Sequence, residues 1–350
     1  RILPENINEL KSLTTLDLSN NPLLNYTLEL DKLVSLTSLQ QLSLASNELK
    51  SLPESIGNLT SLERLDLSGN QLTSLPGSIE KLVLLKELDL GMDRDGQRRN
   101  KLRNFPSGFD KLIQLEVLNL SGDSVMAIPV AIAKFIHLKE LNLSWCTLFE
   151  ISPAIRGLVN LEVLQLDHNH INKIPDWIGE LKSLRELHLD ADFFAYPVDK
   201  ISMVPSSIGN LELLEVLSMR DQVVRALPAS LSRCSQLKTI DLRNNLLTIL
   251  PDSFVLLHQL KSLDLKANTL EKLPSGFDQL SGLRNLNISF NESLDLFGAA
   301  KQLQHMKQLE VLDISYNKLN AQIYEALKKS LPSTKIIAKG FNNLEPIEGK

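Results

Sequence analysis

Three histidines and a cysteine in the middle of the chain are the residue types that bind transition metals. His168, His170 and His188 supply imidazoles, and Cys146 supplies the nearest thiol. Alternate residues across a turn point apart, and no second cysteine or set of carboxylates completes a tetrahedron. The pattern therefore predicts no metal site, and we interpret Cys146 as a buried, unreactive thiol.

Signatures of enzymatic catalysis are missing from the sequence. It contains no glycine-rich phosphate loop, no GxSxG and no HExxH. A row of carboxylates at one repeat position is a solvated structural feature and not a paired general acid and base. We therefore expect a protein that is not an enzyme and that needs no cofactor and no small-molecule substrate. The carboxylates of this row are Asp17, Asp66, Asp89, Asp241, Asp264 and Asp313.

A patch of apolar and aromatic side chains is predicted on outward-facing strand and turn positions in the middle of the chain. The corresponding positions nearer the N-terminus are polar. The alternative is that valine stands there only because it favours strands, since single exposed apolar residues need no function. The predicted patch consists of Val117, Trp145, Val163, His168, His188 and Val216, with Glu140, Asp167, Glu186 and Asp190 around it.

Two seven-residue insertions, Asp93 to Arg99 and Asp192 to Val198, leave the repeat just after a strand. Their positions predict the same rim, on the order of 19 Å apart at about 4.8 Å per strand. The first is polar and basic, whereas the second carries Phe193, Phe194 and Tyr196. They are interpreted as jaws beside the patch, because aromatic residues and arginine are enriched at binding hot spots. The alternative is surface drift, with the aromatic rings folded onto neighbouring repeats.

A column of cations, Arg220, Arg243 and Lys266, occupies one position in three consecutive repeats. Like charges at strand spacing repel each other unless acidic neighbours screen them. The column is interpreted either as screened by Asp221, Asp241 and Asp264 or as a docking stripe for an acidic partner segment.

The elements that position these side chains follow from a phrase that occurs thirteen times, LxxLxLxxNxL, usually followed by LPxxIxxL. Eight of the twelve spacings between copies are 23 residues. A fixed period of this length indicates one small unit per repeat, which is stable only when it is stacked between copies of itself. The alternation at Leu65 and Leu67 predicts a strand with both leucines buried, and constant spacing predicts a parallel sheet.

In nine of the thirteen repeats an asparagine follows the strand at a turn, where its amide can bridge backbone groups of neighbouring repeats. Four repeats depart from this rule, and we expect the bridging to be weakest in them. The exceptions are Asp123, Cys146, Asp199 and Gln222.

The pattern resembles the leucine-rich repeat family over residues 3 to about 331. The LPxxIG version at 52–57, with a close variant at 204–209, is similar to intracellular Ras-suppressor and plant Ras-group-related proteins and to bacterial effectors. The resemblance implies an α/β fold, a right-handed horseshoe solenoid. Its parallel sheet would lie on the concave face, with short helical, 3-10 or irregular segments on the convex face. It further implies that the concave sheet binds proteins.

One solenoid is predicted over residues 1–340, with a partial repeat at 1–12, about thirteen repeats at 13–331 and a C-terminal cap at 321–340. The cap should hold a helix from Ala321 to Ser330 and a strand from Lys335 to Ile337. Residues 341–350 lack periodicity and are expected to form a loose tail. The first residues read as the back half of a repeat, so we expect the chain to start inside a longer protein.

Composition limits the partners and the location. A net charge of -5 and a pI near 5.8 disfavour nucleic acid, and no apolar stretch is long enough to insert into a membrane. Two unclustered cysteines favour the cytoplasm, or a host cytoplasm for a bacterial effector. We expect a non-enzymatic module that binds a folded protein through the sheet and one loop rim. The alternatives are a targeting arm of a larger ligase or kinase and a self-associating structural protein.

Overall fold

The computed structural model describes residues 2–93, 95–123, 128 and 130–340. It divides into two compact units, unit 1 from Arg1 to Asn169 and unit 2 from His170 to Lys350. Each repeat forms one coil, and coils are numbered here by the strand that they contain. The predicted loose tail at 341–350 lies outside the described residues, as does Arg94 of the first insertion.

Unit 1 contains a parallel sheet whose strands pair in chain order, with a short helical segment between consecutive strands. The strands are β1 (Thr15–Asp17), β2 (Gln41–Ser43), β3 (Arg64–Asp66), β4 (Glu87–Asp89), β5 (Val117–Asn119), β6 (Glu140–Asn142) and β7 (Val163–Gln165). The α-helix is α1 (Tyr26–Leu33), and 3-10 helices span Glu5–Glu9, Glu54–Asn58, Gly77–Lys81, Ser107–Lys111, Val130–Lys134 and Pro153–Gly157.

Unit 2 repeats this arrangement, again with parallel strands in chain order. Its strands are β8 (Glu186–His188), β9 (Val216–Ser218), β10 (Thr239–Asp241), β11 (Ser262–Asp264), β12 (Asn285–Asn287), β13 (Val311–Asp313) and β14 (Lys335–Ile337). The α-helices are α2 (Leu296–Leu303) and α3 (Ala321–Ser330). The 3-10 helices span Asp176–Glu180, Pro197–Asp199, Ser206–Asn210, Ala229–Arg233, Asp252–Leu256 and Phe277–Gln279.

The core of each unit is filled by the leucines of the repeat. Leu65 and Leu67 are both fully buried, whereas Arg64 and Asp66 on the other face of β3 are not. This confirms the predicted period-two strand and the prediction that its two leucines face the core. The cap helix and the final strand also form at the predicted residues.

The glycine of the LPxxIG phrase has a packing role. A Cβ at Gly57 would lie 2.3 Å from the Ser78 carbonyl oxygen, and a Cβ at Gly209 would lie 2.2 Å from that of Ser230. Each glycine therefore lets the outer segment of the next coil approach closely, which a side chain would prevent.

The turn asparagines bridge coils as the sequence predicts. Asn70 Oδ1 accepts hydrogen bonds from the Asn47 and Leu49 amides at 2.9 and 3.1 Å. Its Nδ2 donates to the Leu44 and Leu67 carbonyls, both at 2.9 Å. One side chain thus satisfies four backbone groups that the stack removes from water.

The four exceptions behave differently from one another. Gln222 bridges well, because its Oε1 accepts from the Ile201 amide and its Nε2 donates to the Leu189 carbonyl, both at 2.6 Å. The expected weakness is therefore wrong at Gln222. Asp199 does not enter the buried position at all, since it ends a 3-10 turn with its side chain 26% exposed.

Asp123 and Cys146 agree with the expectation. Asp123 is buried and accepts one hydrogen bond, from the Leu102 amide at 3.1 Å, while its Oδ2 has no partner among the described residues. The Cys146 thiol lies 3.1 Å from the Leu120 carbonyl oxygen, to which it donates. Burial raises the pKa of Cys146 to about 12, so the thiol stays protonated.

Candidate interaction faces

The residue just before the turn position adopts a left-handed backbone conformation in eleven of the thirteen repeats, the exceptions being Arg99 and Val198. Glycine supplies this conformation most easily, as at Gly69 and Gly122. Large side chains stand there in four coils, although the left-handed conformation costs a non-glycine residue about 1–2 kcal/mol. These residues are Trp145, His168, Phe290 and Tyr316, with φ values of 61°, 56°, 57° and 54°.

In unit 1 this turn position places two predicted site residues in direct contact. The rings of Trp145 and His168 stack with centroids 4.0 Å apart and planes 17° apart. Trp145 remains 41% exposed. We call these two residues the unit 1 aromatic pair.

The valines predicted beside this pair lie on β5 and β7, the two strands that flank β6. Glu140 on β6 is in register with Val117 on β5 and with Val163 on β7, so the carboxylate lies between the two valines. Both valines are half-buried and Glu140 is exposed. Asp167 is half-buried and its carbonyl accepts a hydrogen bond from the Trp145 amide at 2.9 Å. The structure thus brings together the six predicted residues that belong to unit 1.

The first insertion lies over the first coils of unit 1. Arg98 donates to the Ser46 carbonyl at 3.4 Å and approaches Glu48 at 3.9 Å. The loop and the sheet line an open polar groove of about 700 Å³ that was not predicted from the sequence. Among its lining residues are Asp17, Ser43, Asp66, Asp93, Asp95 and Arg98.

The patch residues predicted in unit 2 are half-buried, except for Asp190, which is buried. Glu186 on β8 is in register with Val216 on β9, and the His188 ring lies 3.2 Å from the Glu186 carboxylate. Asp190 is only 3% exposed. It accepts hydrogen bonds from the Ser218 hydroxyl, the Arg220 amide and Arg220 Nε at 2.6, 2.8 and 2.5 Å. Its predicted place on the exposed border of the patch is therefore wrong, and its role is structural.

The cation column alternates with carboxylates. Arg220 lies 2.5 Å from Asp190 and 3.7 Å from Asp241. Arg243 lies 2.6 Å from Asp241 and 3.7 Å from Asp264. The hydrogen bonds that Arg243 donates to the Asp241 carboxylate raise the pKa of Arg243. This geometry supports screening of the column, although Asp221 takes no part in it and instead accepts from Asn244 at 2.7 Å.

The second insertion carries its aromatic rings in solvent. Phe193, Phe194 and Tyr196 are 63%, 87% and 76% exposed. Phe193 and Phe194 contact each other edge to face at 5.2 Å. The loop is tied to unit 2 at its end, where Asn172 donates to the Val198 carbonyl at 3.1 Å. The alternative that these rings fold onto neighbouring coils is wrong.

Unit 2 contains a second pair of stacked aromatic rings, which the sequence analysis did not predict. Phe290 and Tyr316 lie 4.2 Å apart with planes at 23°, and Lys266 Nζ lies 5.4 Å from the Phe290 centroid. Reading down the turn position that holds Trp145 would have found them. The sheet of the same coils carries a cavity of about 220 Å³, lined in part by Asp264, Asn287, Val311, Asp313 and Ile337.

The structure describes the chain except for residues 1, 94, 124–127, 129 and 341–350. Among the residues that it describes, no group of three or more His, Cys, Asp or Glu side chains is arranged to hold a metal ion. No helix in that part of the chain has the length and apolar character needed to cross a membrane.

Two protein-family models match the sequence. The leucine-rich repeat region family matches residues 23–128, 129–222 and 206–339, and a further leucine-rich repeat family matches residues 12–33. Together these matches span most of the sequence. The chain belongs to the leucine-rich repeat family. The predicted fold class, a leucine-rich-repeat solenoid with a parallel sheet, is thereby confirmed.

Solved structures of other leucine-rich repeat proteins resemble this chain. A leucine-rich repeat protein of Leptospira interrogans is 26% identical over 96% of this chain and 92% of its own, with a TM-score of 0.62. The plant peptide hormone receptor RGFR1, in complex with RGF2, is 24% identical over 97% and 53%, with a TM-score of 0.70. TLR13, in complex with ssRNA13, is 25% identical over 97% and 56%, with a TM-score of 0.63. No curated protein matches the leucine-rich repeat chain.

Proposed function

We propose that this leucine-rich repeat chain is a protein-binding module whose principal contact is the unit 1 aromatic pair. The observation that carries the proposal is the exposed stack of Trp145 on His168, held in a backbone conformation that costs stability. Strained positions that persist in a structure are enriched at functional sites. Tryptophan is also among the residues that contribute most to protein interfaces.

The surroundings of the pair define the chemistry of the partner. Val117 and Val163 offer a half-buried apolar floor, while Glu140 and Asp167 add negative charge. A partner that presents an aliphatic or aromatic side chain next to an arginine fits this face, because the arginine can pair with Glu140 and stack on the Trp145 ring. A folded protein surface supplies such a combination.

The sign of the charge supports a protein partner over a nucleic acid. Structures with this fold include complexes with the peptide ligand RGF2 and with ssRNA13, so the fold alone does not select the class of ligand. Carboxylates surround the unit 1 aromatic pair, and in unit 2 Arg220 and Arg243 are paired with aspartates. Phosphate groups gain little attraction from such surfaces. A cytoplasmic location, in the cell of origin or in a host, belongs to the same proposal and is supported by two buried free thiols.

Replacement of Trp145 by glycine tests the proposal. Glycine occupies the same turn position at Gly69 and Gly122, so Trp145→Gly removes the ring and relieves the backbone strain. We expect partner affinity to fall by at least about 30-fold, the effect of losing a hot spot, with no loss of thermal stability. Affinity purification with quantitative mass spectrometry, followed by titration of the captured partner, measures this.

Phe290→Gly is the matched control, since it removes a stacked ring from the same turn position in unit 2. Partner recovery that stays equal between the wild type and Trp145→Gly would refute the proposal. The same outcome would also remove the binding surface assumed for a targeting arm of a larger ligase or kinase. The two aromatic pairs would exchange roles if Phe290→Gly alone lost the partner.

A further inference from the structure

In the turn that leads into its strand, each coil exposes the side chain that lies two residues before the first leucine of the repeat phrase. In four consecutive coils of unit 1 this side chain is large and apolar: Val83, Ile113, Ile136 and Val159, exposed by 47%, 47%, 50% and 56%. We call these four residues the edge stripe. The other coils hold exposed polar residues at this position, namely Lys11, Thr37, Thr60, Lys182, Glu212, Ser235, His258, Ser281 and Lys307.

The fold does not require the edge stripe. Nine coils form the same turn with polar side chains, so an apolar residue there serves neither the turn nor the core. Contiguous exposed apolar groups of this kind mark interaction surfaces. The stripe spans three coil spacings, on the order of 14 Å at about 4.8 Å per strand.

A ladder of alternating charge accompanies the stripe, three residues further along each coil. Its members in coils 4 to 7 are Lys86, Glu116, Lys139 and Glu162. Lys86 pairs with Glu63 of the preceding coil at 2.8 Å, and Lys139 pairs with Glu116 at 2.7 Å. The ion pairs hold the long side chains in order beside the stripe.

The edge stripe and the charge ladder each match a second copy of themselves that runs in the opposite direction. The stripe reads Val, Ile, Ile, Val in either direction. The charge ladder reads positive, negative, positive, negative, and its reverse places an opposite charge against each member. A two-fold axis between coils 5 and 6 would bring Ile113 against Ile136 of a second copy and Val83 against Val159. The same axis would bring Lys86 against Glu162 and Glu116 against Lys139.

We propose that this edge of unit 1 is a homodimer interface in which two copies of the chain pair antiparallel about that axis. An isologous interface requires one surface to match itself under a two-fold rotation, and the edge stripe with its charges does so. A side-by-side pairing in the same direction would instead put like charges opposite each other. The stripe and the charge ladder include none of the residues of the proposed binding face, so this inference goes beyond the proposed function and does not depend on it.

The size of the stripe predicts a weak, reversible dimer. Four half-exposed side chains per copy form the apolar centre, which is smaller than the contact of a tight complex. We expect a dissociation constant on the order of micromolar. Sedimentation velocity across a wide range of protein concentrations measures it on the intact chain.

Ile113→Glu should raise the dimer dissociation constant by at least about tenfold, because it places a carboxylate against an apolar partner surface. Ser235→Glu introduces the same charge at the equivalent turn of unit 2 and should leave dimerisation unchanged. Trp145→Gly should also leave it unchanged, which separates this inference from the proposed function.

Disulfide trapping tests the antiparallel geometry. Val83→Cys and Val159→Cys, mixed and oxidised, should cross-link to each other because the axis places these positions face to face. Each variant alone should cross-link poorly, since identical positions would be on the order of 14 Å apart, beyond disulfide reach. The native cysteines do not interfere, because Cys146 and Cys234 are fully buried. Circular dichroism checks that both variants fold.

Three results would overturn the proposal. The first is a chain that stays monomeric at every concentration, and the second is a dimer that Ile113→Glu leaves intact. The third is cross-linking of the single variants as efficient as that of the mixture. Efficient cross-linking of the single variants would indicate a dimer with a different axis. A chain that is always monomeric would indicate that the stripe binds a different protein.

Discussion

Replacement of Asp123 by asparagine should stabilise unit 1 and flatten its response to pH. Asp123 occupies the bridging position that asparagine holds in the adjacent coil. There, Asn100 Nδ2 donates to the Leu67 and Leu90 carbonyls at 3.0 and 2.7 Å. An amide at residue 123 would donate to the equivalent carbonyls, those of Leu90 and Leu120. The buried Oδ2 of Asp123 makes no such contact within the described part of the chain.

The magnitude follows from the proton that the carboxyl must hold. Burial raises the pKa of Asp123 from 3.8 to about 8, against the opposing hydrogen bond from the Leu102 amide. The folded state therefore binds a proton that the unfolded chain releases between about pH 4 and pH 8, and the free energy of unfolding falls as pH rises through that window. pH 7 lies about 3 units above the ordinary pKa of an aspartate. At about 1.4 kcal/mol per unit, the buried carboxyl therefore lowers the free energy of unfolding by about 4 kcal/mol at this pH.

Urea unfolding of wild type and Asp123→Asn between about pH 5 and pH 8 measures the effect. The wild type should lose about 3–4 kcal/mol more than the variant across this range. Asp89 contributes a slope of the same sign, because burial raises its pKa to about 6, but this slope is common to both proteins and cancels. The reverse change, Asn70→Asp, is the control and should create a new loss with rising pH. Parallel curves for wild type and Asp123→Asn would refute the reasoning.

Three further substitutions test the packing and the ion pairs. Leu65→Ala should lower the free energy of unfolding by about 2–5 kcal/mol through a core cavity, while Leu84→Ala on the surface should change it little. Gly209→Ala should cost about 1–3 kcal/mol, because the added Cβ meets the Ser230 carbonyl; Gly77→Ala, with open space around it, should not. Arg220→Leu should cost about 1–3 kcal/mol, since it leaves the buried Asp190 carboxylate without its cation. The exposed ion pair of Arg64 with Glu87 provides the comparison, as Arg64→Leu should be nearly neutral. Chemical unfolding at one pH measures all three pairs, and equal losses within any pair would contradict its assignment.

The strands and the cap could be predicted from the sequence because one physical signal fixes them. The alternation around Leu65 and the constant 23-residue spacing place each strand beside the next, and an apolar face that cannot be buried within one repeat forces the stack. The turn asparagines follow for the same reason, since the stack removes backbone groups from water at a fixed point of every coil.

The behaviour of the exceptions could not be predicted, because it depends on reach and not on residue class. Gln222 is longer than asparagine by one methylene and still bridges its two coils with short hydrogen bonds. Asp190 reads in the sequence like the other outward carboxylates. Its burial depends on where the Arg220 side chain lies, which the sequence does not specify.

The aromatic pairs and the edge stripe belong to positions that local patterning does not distinguish. Strand alternation identifies only the residues between the leucines, whereas Phe290 and Val83 lie in turns outside the strands. Only a comparison of the same position down successive coils reveals them. The repeat thus supplies its own alignment, and the informative positions are those at which neighbouring coils share an unexpected residue type.

The position just before the turn asparagine allows the stability cost of a side chain to be compared with the stability that it contributes. Eleven of the thirteen repeats adopt the left-handed conformation there, and glycine at Gly69 and Gly122 does so without strain. A bulky residue costs about 1–2 kcal/mol at each position, whereas one stacked aromatic contact returns about 0.5–1.5 kcal/mol to the pair. Stacking alone therefore does not offset the backbone cost of Trp145 with His168, or of Phe290 with Tyr316. Trp145, Phe290 and Tyr316 are nevertheless 40–45% exposed, which supports the partner contact proposed for Trp145.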